Sequence, residues 1–116
     1  MIYYFEHNYG EIIRRAPYDS ITHFVSGDKF VTAFAADCEL LLNETLKEIA
    51  ANHPELVYTH RSTLVRADDI VYVAENKAGD RWMSRYKAIL KSGVEVKVSR
   101  YEYKKIRDLI NAREAA

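Results

Sequence analysis

The sequence predicts a mainly β protein with two helices, and three observations support this prediction. Apolar and polar residues alternate with a period of two in at least five segments, which is typical of half-buried strands. Helical periodicity occurs in only two segments, near 45–52 and 100–111. The chain has 116 residues, enough for one hydrophobic core, so we expect a single domain spanning residues 1–116.

The N-terminal residues predict a β-hairpin. A first strand, rich in Tyr and Phe, covers residues 2–7, and the turn formers Asn8 and Gly10 follow it. Residues 11–15 then return antiparallel. Pro17 ends this second strand, because proline cannot donate to a strand ladder.

An antiparallel meander is predicted next. Two alternating segments are joined by the turn Gly27-Asp28-Lys29, and a short third strand follows; the three strands are residues 21–26, 30–35 and 39–42. Strict alternation would place Ile21 and Phe24 on opposite faces. Lys29 would lie at the tip of the first hairpin, where a solubilising role is the simpler interpretation.

The first helix is predicted over residues 45–52. Thr45 and Glu48 have the spacing of a capping box, although Asn43 is a second candidate for the N-cap. The apolar stripe that should face the core consists of Leu46, Ile49 and Ala50.

The segment from Thr59 to Ile70 is the candidate contact region. The polar cluster His60-Arg61-Ser62 follows a buried strand and precedes the apolar pair Leu64-Val65, after which an acidic turn leads into a strand over 70–75. β-Proteins often present a contact group in this way, as a cation at a bend between apolar anchors. We therefore treat this cluster as a binding candidate.

The last part of the chain predicts two strands and the second helix. Residues 82–90 alternate, Ser92-Gly93 is a tight turn, and residues 94–98 return with their valines facing inward. Ser99 and Glu102 again have capping-box spacing, and they open a helix over 100–111. Its core stripe should be Tyr103, Ile106, Leu109 and Ile110.

Arg100 stands at the first position of that helix. A cation is unfavourable there, because the helix dipole is positive at its N-terminus. Such a local violation hints at function, and a tolerated surface charge is the alternative.

Composition excludes several classes of protein. No apolar run approaches the length of a membrane span, and the single cysteine, Cys38, rules out an intramolecular disulfide, which fits a reducing cytoplasm. No motif for catalysis, metal or cofactor binding is present, so we expect no enzyme, no metal, no cofactor and no small-molecule substrate.

Charge is distributed unevenly along the chain. The formal net charge is zero, but residues 1–56 hold 4 Lys/Arg against 9 Asp/Glu, and residues 57–116 hold 13 Lys/Arg against 8 Asp/Glu. This asymmetry allows a basic footprint on one face.

Several motifs occur together in one order along the chain. The hairpin Ile21-x-x-Phe24-x-Ser26-x-Asp28-Lys29-Phe30-Val31 is followed by the helix Thr45-Leu46-Lys47-Glu48-Ile49, by His60-Arg61-Ser62-x-Leu64-Val65 and Ile70, and by Val98-Ser99-Arg100-Tyr101. In this order they resemble the LytTR family, the DNA-binding domains of the LytR/AlgR response regulators. The resemblance covers roughly residues 12–110.

The resemblance implies an elongated, mostly β fold whose loops enter successive grooves of double-stranded DNA, without a recognition helix. It assigns contacts to Arg61, Arg100 and Lys29. The wider set of DNA-binding residues that we expect is Lys29, His60, Arg61, Ser62, Arg66, Ser99 and Arg100. A homodimer on paired direct repeats is a further expectation.

Three departures from the family pattern matter. Thr63 stands where the family often has an aromatic residue, and Arg66 stands where it often has Asn. Arg66 therefore either adds a phosphate contact or shifts the loop. Only about 18 residues precede the matched hairpin, as an N-terminal strand extension, and this is too few for the family's usual receiver domain. The chain is thus expected to be either an excised fragment or a stand-alone bacterial-type transcriptional regulator.

One alternative function remains open at this point. A small β-domain could use its Tyr-rich N-terminal edge to bind another protein without contacting DNA. Added salt separates the two hypotheses, because DNA binding through several Lys and Arg weakens steeply with salt and an apolar interface hardly changes.

Overall fold

The computed structural model describes residues 2–75 and 85–115. This part of the chain contains ten strands, two α-helices and two short 3₁₀ helices. The strands are β1 Tyr3–Asn8, β2 Glu11–Pro17, β3 Ile21–Ser26, β4 Val31–Ala35, β5 Glu39–Leu42, β6 Leu56–His60, β7 Thr63–Arg66, β8 Ile70–Glu75, β9 Tyr86–Leu90 and β10 Glu95–Val98. The helices are α1 Leu46–Asn52 and α2 Arg100–Ala115, and the 3₁₀ helices are Tyr18–Ser20 and Ala67–Asp69.

The strands form three antiparallel sheets. They have the orders β1-β2, β5-β4-β3-β7-β6 and β10-β9-β8. The molecule is longer than it is thick, with principal extents of 45 × 36 × 24 Å. The prediction of an elongated, mainly β fold with two helices is confirmed.

The N-terminal hairpin closes through a tight two-residue turn. Tyr9 and Gly10 both have positive φ angles, 51° and 79°, as a type I′ turn requires. The hairpin also covers one edge of the five-stranded sheet, because the Glu6 carboxylate accepts the β5 amide N–H of Leu41 at 2.8 Å. An uncovered edge would invite pairing with another chain.

A buried side-chain network joins the hairpin to the rest of the fold. The Tyr4 hydroxyl lies 2.8 Å from Nε2 of His53, and the His53 ring stacks on the Tyr18 ring with centroids 4.0 Å apart. The Tyr18 hydroxyl in turn donates to Glu55 at 3.1 Å. Burial raises the pKa of Tyr4 to about 12, so this phenol stays protonated in the fold.

The first core cluster lies between the five-stranded sheet, the hairpin and α1. Ile21 and Phe24 are both buried in it, so the predicted placement on opposite faces is wrong. The cause is a β-bulge: the register of β3 against β4 shifts between Ile21 and His23. A bulge adds one residue to one strand and so resets the alternation of side chains.

Helix α1 begins as predicted. The Thr45 hydroxyl accepts the N–H of Glu48 at 3.1 Å, and the Glu48 carboxylate accepts the N–H of Thr45 at 3.2 Å. This reciprocal pair is a complete capping box, so Thr45 and not Asn43 is the N-cap.

The second core cluster lies between the three-stranded sheet and α2. Ile106 and Ile110 are buried against it, but Leu109 is 43% exposed, so its predicted place in the core stripe is wrong. Helix α2 also runs to Ala115 instead of ending at Asn111. Its last turn is held by Arg113, whose guanidinium donates to the carbonyls of Ala67 and Ile70 at 3.2 and 2.6 Å. Because Ala67 and Ile70 are far from Arg113 in the sequence, the local sequence pattern could not predict this extension of the helix.

The predicted strand over 82–90 is confirmed from Tyr86 to Leu90. Its first residues lie outside the described part of the chain. The turn that follows contains Gly93 with a φ of 90°, as a tight turn at Ser92-Gly93 requires.

Candidate nucleic-acid interface

The β6–β7 turn presents Arg61 to solvent. Register pairing joins His60 to Thr63 and leaves Arg61 and Ser62 as the two turn residues. Nδ1 of His60 accepts the N–H of Ser62 at 3.2 Å and lies 2.9 Å from the Ser62 hydroxyl. The imidazole therefore bridges the turn and holds the backbone on either side of Arg61.

The protonation of His60 follows from this geometry. Because Nδ1 accepts an amide N–H, the ring proton of the neutral form is assigned to Nε2. Burial lowers the pKa of His60, and the neighbouring positive charges of Lys97 and Arg61 lower it further. His60 is thus neutral at pH 7, and it serves as an orienting group in the turn.

Two backbone hydrogen bonds connect this turn to two other predicted contact segments. The Ser62 carbonyl accepts the N–H of Ser26 at 2.9 Å, at the start of the β3–β4 loop. The Thr59 carbonyl accepts the N–H of Ser99 at 2.8 Å, directly before α2. Three segments that are distant in sequence are therefore fixed side by side.

The β3–β4 loop carries Lys29. The N–H of Gly27 donates to the Phe30 carbonyl at 2.8 Å and closes the loop, so Lys29 is exposed at its tip. Lys29 and Arg61 line one shared surface hollow, together with the acidic Asp28 and Glu44. Burial raises the pKa of Glu44, and the neighbouring Glu48 raises it further.

The start of α2 fixes the backbone at Arg100. The Ser99 hydroxyl accepts the N–H of Glu102 at 3.1 Å, so Ser99 is the N-cap. The predicted role of Glu102 is wrong in one respect: the Ser99 N–H, which a capping box would engage, donates to Thr59 instead. Arg100 itself is exposed.

Arg66 occupies a different environment from the other predicted contacts. Its Nε lies 2.9 Å from the Asp69 carboxylate, Nη1 donates to the Tyr18 carbonyl at 3.1 Å, and Nη2 donates to the Ile21 carbonyl. The guanidinium also lies over the Tyr18 ring, 4.8 Å from its centroid, and the side chain is only 18% exposed. These contacts give Arg66 a structural role, joining the first 3₁₀ helix and β3 to the second 3₁₀ helix. They also give Asp69 a partner other than Arg61.

Lys97 was not predicted from the sequence as a contact residue. It is exposed on β10 and lies close enough to His60 to lower its pKa. The sequence indicated only that Lys97 faces outward, because it alternates with the inward-facing valines of β10. Its neighbourhood with His60 depends on the packing of β10 beside β6, which the alternation does not reveal.

We call the surface formed by Lys29, Arg61, Lys97 and Arg100 the turn face. None of these four cations forms an ion pair or side-chain hydrogen bond with the residues that the structure describes. Exposed cations on backbone segments that are fixed by hydrogen bonds suit a polyanion with a regular spacing of charges. A β fold with such a surface is typical of the nucleic-acid-binding class.

Within residues 2–75 and 85–115, no cluster of His, Cys, Asp and Glu side chains could hold a metal ion. In the same residues, no helix is both long enough and apolar enough to cross a membrane.

Comparison with known proteins specifies the class further. The sequence model of the LytTr DNA-binding domain family matches residues 11–111, so the chain belongs to this family, whose members bind DNA and are typical of transcriptional regulators. The resemblance inferred from the motifs is confirmed. None of the curated proteins matches the chain.

A solved structure shows the same fold. It is the LytTr DNA-binding domain of a Bacillus cereus protein named as a methyl-accepting/DNA response regulator. It superposes with a TM-score of 0.70 at 17% sequence identity, covering 93% of this chain and 95% of that one. At this identity the likeness supports the fold alone.

Proposed function

We propose that residues 1–116 form one module that binds double-stranded DNA sequence-specifically through the turns of its β fold and acts as a bacterial-type transcriptional regulator. One observation carries this proposal. The backbone hydrogen bonds from Ser26 to Ser62 and from Ser99 to Thr59 fix three cation-bearing segments side by side. A cytoplasmic location, as predicted from the sequence, accompanies this function.

The cations of the turn face are assigned two roles. Arg61 and Arg100 are the proposed base readers, because the arginine fork fits the O6 and N7 atoms of guanine in the major groove. Lys29 and Lys97 are proposed phosphate contacts, since a flexible ammonium acts as a point charge.

His60, Ser62 and Ser99 are proposed to position the base readers. His60 and Ser62 hold the turn around Arg61, and Ser99 caps the helix that carries Arg100. We leave Arg66 out of the proposed contacts, because its guanidinium already serves several protein acceptors.

Titration of an Arg61→Ala variant tests the proposal. The preferred site would first be selected from random duplex DNA, and affinity would then be measured on this site and on a scrambled duplex. A lost base reader should cost about 1–3 kcal/mol on the preferred site and relax the choice at one base position. Lys29→Ala should instead weaken binding to all sequences alike and reduce the salt slope by about one.

Lys91→Ala is the matched control, because Lys91 is an exposed cation on the β9–β10 turn and not on the turn face. It should leave both affinities unchanged. Equal losses on both duplexes with Arg61→Ala would make Arg61 a backbone contact, and no loss on either would remove the β6–β7 turn from the interface.

The arrangement of two chains on paired direct repeats belongs to the same proposal. A protein-interaction module is the second candidate function, favoured by the apolar side chains that the N-terminal hairpin exposes. Binding that is insensitive to salt would support this second candidate.

A further inference from the structure

The strand β1 has an outer edge that is unpaired in the part of the chain that the structure describes. There the hairpin sheet contains β1 and β2 alone. A backbone hydrogen bond from the Tyr18 N–H to the Ile2 carbonyl, at 2.8 Å, shows which residues of β1 face β2. Backbone groups alternate in direction along an antiparallel strand. Ile2 and Tyr4 therefore direct their N–H and C=O toward β2, whereas Tyr3 and Phe5 direct theirs to the outer edge.

Pro17 supports this assignment of directions. It lies directly opposite Tyr3 in the register of β1 and β2. Proline has no N–H, so it is tolerated in a sheet only where no ladder hydrogen bond is needed. The pair of Tyr3 and Pro17 is thus one that exchanges no hydrogen bonds, and the backbone groups of Tyr3 are available on the other side of β1.

The outer edge of β1 lies along a hollow of about 450 Å³. Residues of β1, among them Tyr3 and Phe5, line this hollow together with Glu44 and with Asn52 and His53 from the end of α1. A neighbouring strand in a sheet lies about 4.8 Å away. The hollow is therefore at the place that a strand added to β1 would occupy.

The side chains around the hollow indicate what such a strand should carry. The rings of Tyr3 and Phe5 are 37% and 36% exposed, with centroids 6.4 Å apart, and aromatic rings pair well with β-branched side chains across a sheet. Glu44 forms no ion pair within the described residues, and its charge lies close enough to Tyr4 to help raise the pKa of that phenol. A carboxylate in this position favours a cationic partner.

We propose that the outer edge of β1 binds an extended peptide segment of another protein, with alternating β-branched and basic residues, as a third strand of the hairpin sheet. We call this site the β1 groove. The segment would exchange backbone hydrogen bonds with Tyr3 and Phe5, the mode known as β-augmentation. Since side chains alternate between the two faces of a strand, the β-branched residues opposite Tyr3 and Phe5 share the face of the rings. The basic residues between them face the side of Tyr4 and Glu44.

A second copy of this chain does not fit as the source of the added strand. Its own β1 edge lies along the same hollow, so two such edges are kept apart by the residues that form the other wall. Its β2 is interrupted where the register shifts between Glu6 and His7. Such a bulge disrupts the regular hydrogen bonding of an edge.

Fluorescence anisotropy with a labelled synthetic peptide tests the proposal. The probe is a peptide of about six residues, blocked at both ends, in which Val and Lys alternate. It should bind the full chain with a Kd between about 10 µM and about 500 µM, the weak range expected of a short added strand. No binding up to about 1 mM would overturn the proposal.

Two N-methylated versions of the peptide separate strand addition from attraction by charge. Methyl groups on the valine nitrogens remove the donors to Tyr3 and Phe5, so the Kd should rise by about tenfold or more. Methyl groups on the lysine nitrogens lie on the side away from β1 and should change the Kd by less than about threefold. Equal losses from both peptides, or a larger loss from the methylated lysines, would overturn the proposal.

Glu44→Gln tests the basic character of the partner. It should raise the Kd by about two- to fivefold, as the loss of one exposed ion pair does. Glu75→Gln is the matched control, because Glu75 is an exposed acid in the three-stranded sheet, and it should leave the Kd unchanged. Equal values for both variants would overturn the assigned chemistry of the partner.

Amide hydrogen exchange, followed by NMR, provides an independent readout. In the free chain the N–H groups of Tyr3 and Phe5 should exchange much faster than that of Tyr4, and saturating peptide should slow them by about tenfold or more. Peptide binding without this protection would overturn the β1 groove. Protection that appears without peptide as the protein concentration rises would make a second copy the occupant and would also overturn it. Either failure would leave the DNA proposal standing, because Arg61 and Lys29 are tested separately.

Discussion

The turn face and the N-terminal hairpin are fixed to the fold in different ways. At the turn face, backbone hydrogen bonds between Ser26 and Ser62 and between Thr59 and Ser99 hold the backbone segments that carry exposed cations side by side. At the hairpin, buried rings of Tyr4, His53 and Tyr18 anchor two strands whose other side chains are mostly exposed. Base recognition depends on the direction of a hydrogen bond, whereas an apolar contact depends mainly on area. The two regions therefore suit different partners.

Arg66 joins the segment that follows the N-terminal hairpin to the second 3₁₀ helix, and its loss should have the largest effect. Arg66→Ala leaves the Tyr18 and Ile21 carbonyls and the Asp69 carboxylate without their donor. We expect a loss of about 2–4 kcal/mol in unfolding free energy, measured by urea denaturation. Arg66→Lys keeps the charge but not the fork, so it should recover only part of the loss.

The opposite pattern would return Arg66 to the DNA contacts. Unchanged stability together with a salt slope reduced by about one would identify a phosphate contact. The turn face would then extend as far as Arg66, which lies over the Tyr18 ring at the end of the N-terminal hairpin.

Ser99 should show that a cap can act on both stability and binding. Ser99→Ala removes the acceptor for the Glu102 N–H and should cost about 1 kcal/mol of stability. It should also weaken DNA binding, because the backbone that carries Arg100 becomes less constrained. Calorimetry and a DNA titration measure the two effects, and Ser99→Thr, which keeps a hydroxyl, should preserve both. Unchanged stability with intact binding would contradict the role of the cap.

The local signals in the sequence predicted most of the elements. The capping box at Thr45 and Glu48 depends on residues three apart, and so does the N-cap at Ser99. The sequence could not reveal the bulge near Ile21, which forms where β3 pairs with residues more than ten positions away. It also missed the helix extension held by Arg113, whose acceptors are more than forty residues distant.

The candidate contact residues likewise depend on both local and distant signals in the sequence. Lys29, Arg61 and Arg100 followed from motifs, and all three are exposed on turns or at a helix start. Arg66 was expected either to add a phosphate contact or to shift the loop, and its hydrogen bonds to the Tyr18 and Ile21 carbonyls could not be predicted, because those residues are distant in sequence. Lys97 was missed because only the packing of the sheets brings it near His60.

Replacing Thr63, beside the β6–β7 turn, should have a smaller effect on stability. Its hydroxyl is buried and has no partner among the described residues, and the same is true of Thr59. Thr63→Val keeps the shape and removes the unsatisfied group, so it should stabilise the fold by about 1 kcal/mol in thermal or urea unfolding. DNA affinity should not change, since the hydroxyl orients nothing.

Thr22→Val is the matched comparison for Thr63→Val. The Thr22 hydroxyl donates to the Phe34 carbonyl at 3.2 Å, so this variant should destabilise the fold. Destabilisation by Thr63→Val would indicate that its hydroxyl has a partner in solution, and a loss of affinity would place it among the groups that orient Arg61.

The smallest expected effect is a change in the pKa of His60. This pKa should respond to the positive charges of the turn face. Burial lowers the pKa of both His60 and His23, but the charges of Lys97 and Arg61 act on His60 as well. A histidine whose folded pKa lies below its ordinary 6.5 contributes stability that is present above pH 6.5 and is lost as the pH falls through the folded pKa.

An NMR titration of the imidazole protons would give the pKa values of both His60 and His23. Between about 20 mM and about 500 mM salt, the pKa of His60 should rise toward its ordinary value, because salt screens the two cations. The pKa of His23 should not move, since desolvation does not depend on salt. Lys97→Ala should raise the pKa of His60 at low salt in the same direction. If neither salt nor Lys97→Ala changes the pKa of His60, the cations do not act together at this turn, and the contrast between a charged turn face and an apolar N-terminal hairpin loses its electrostatic basis.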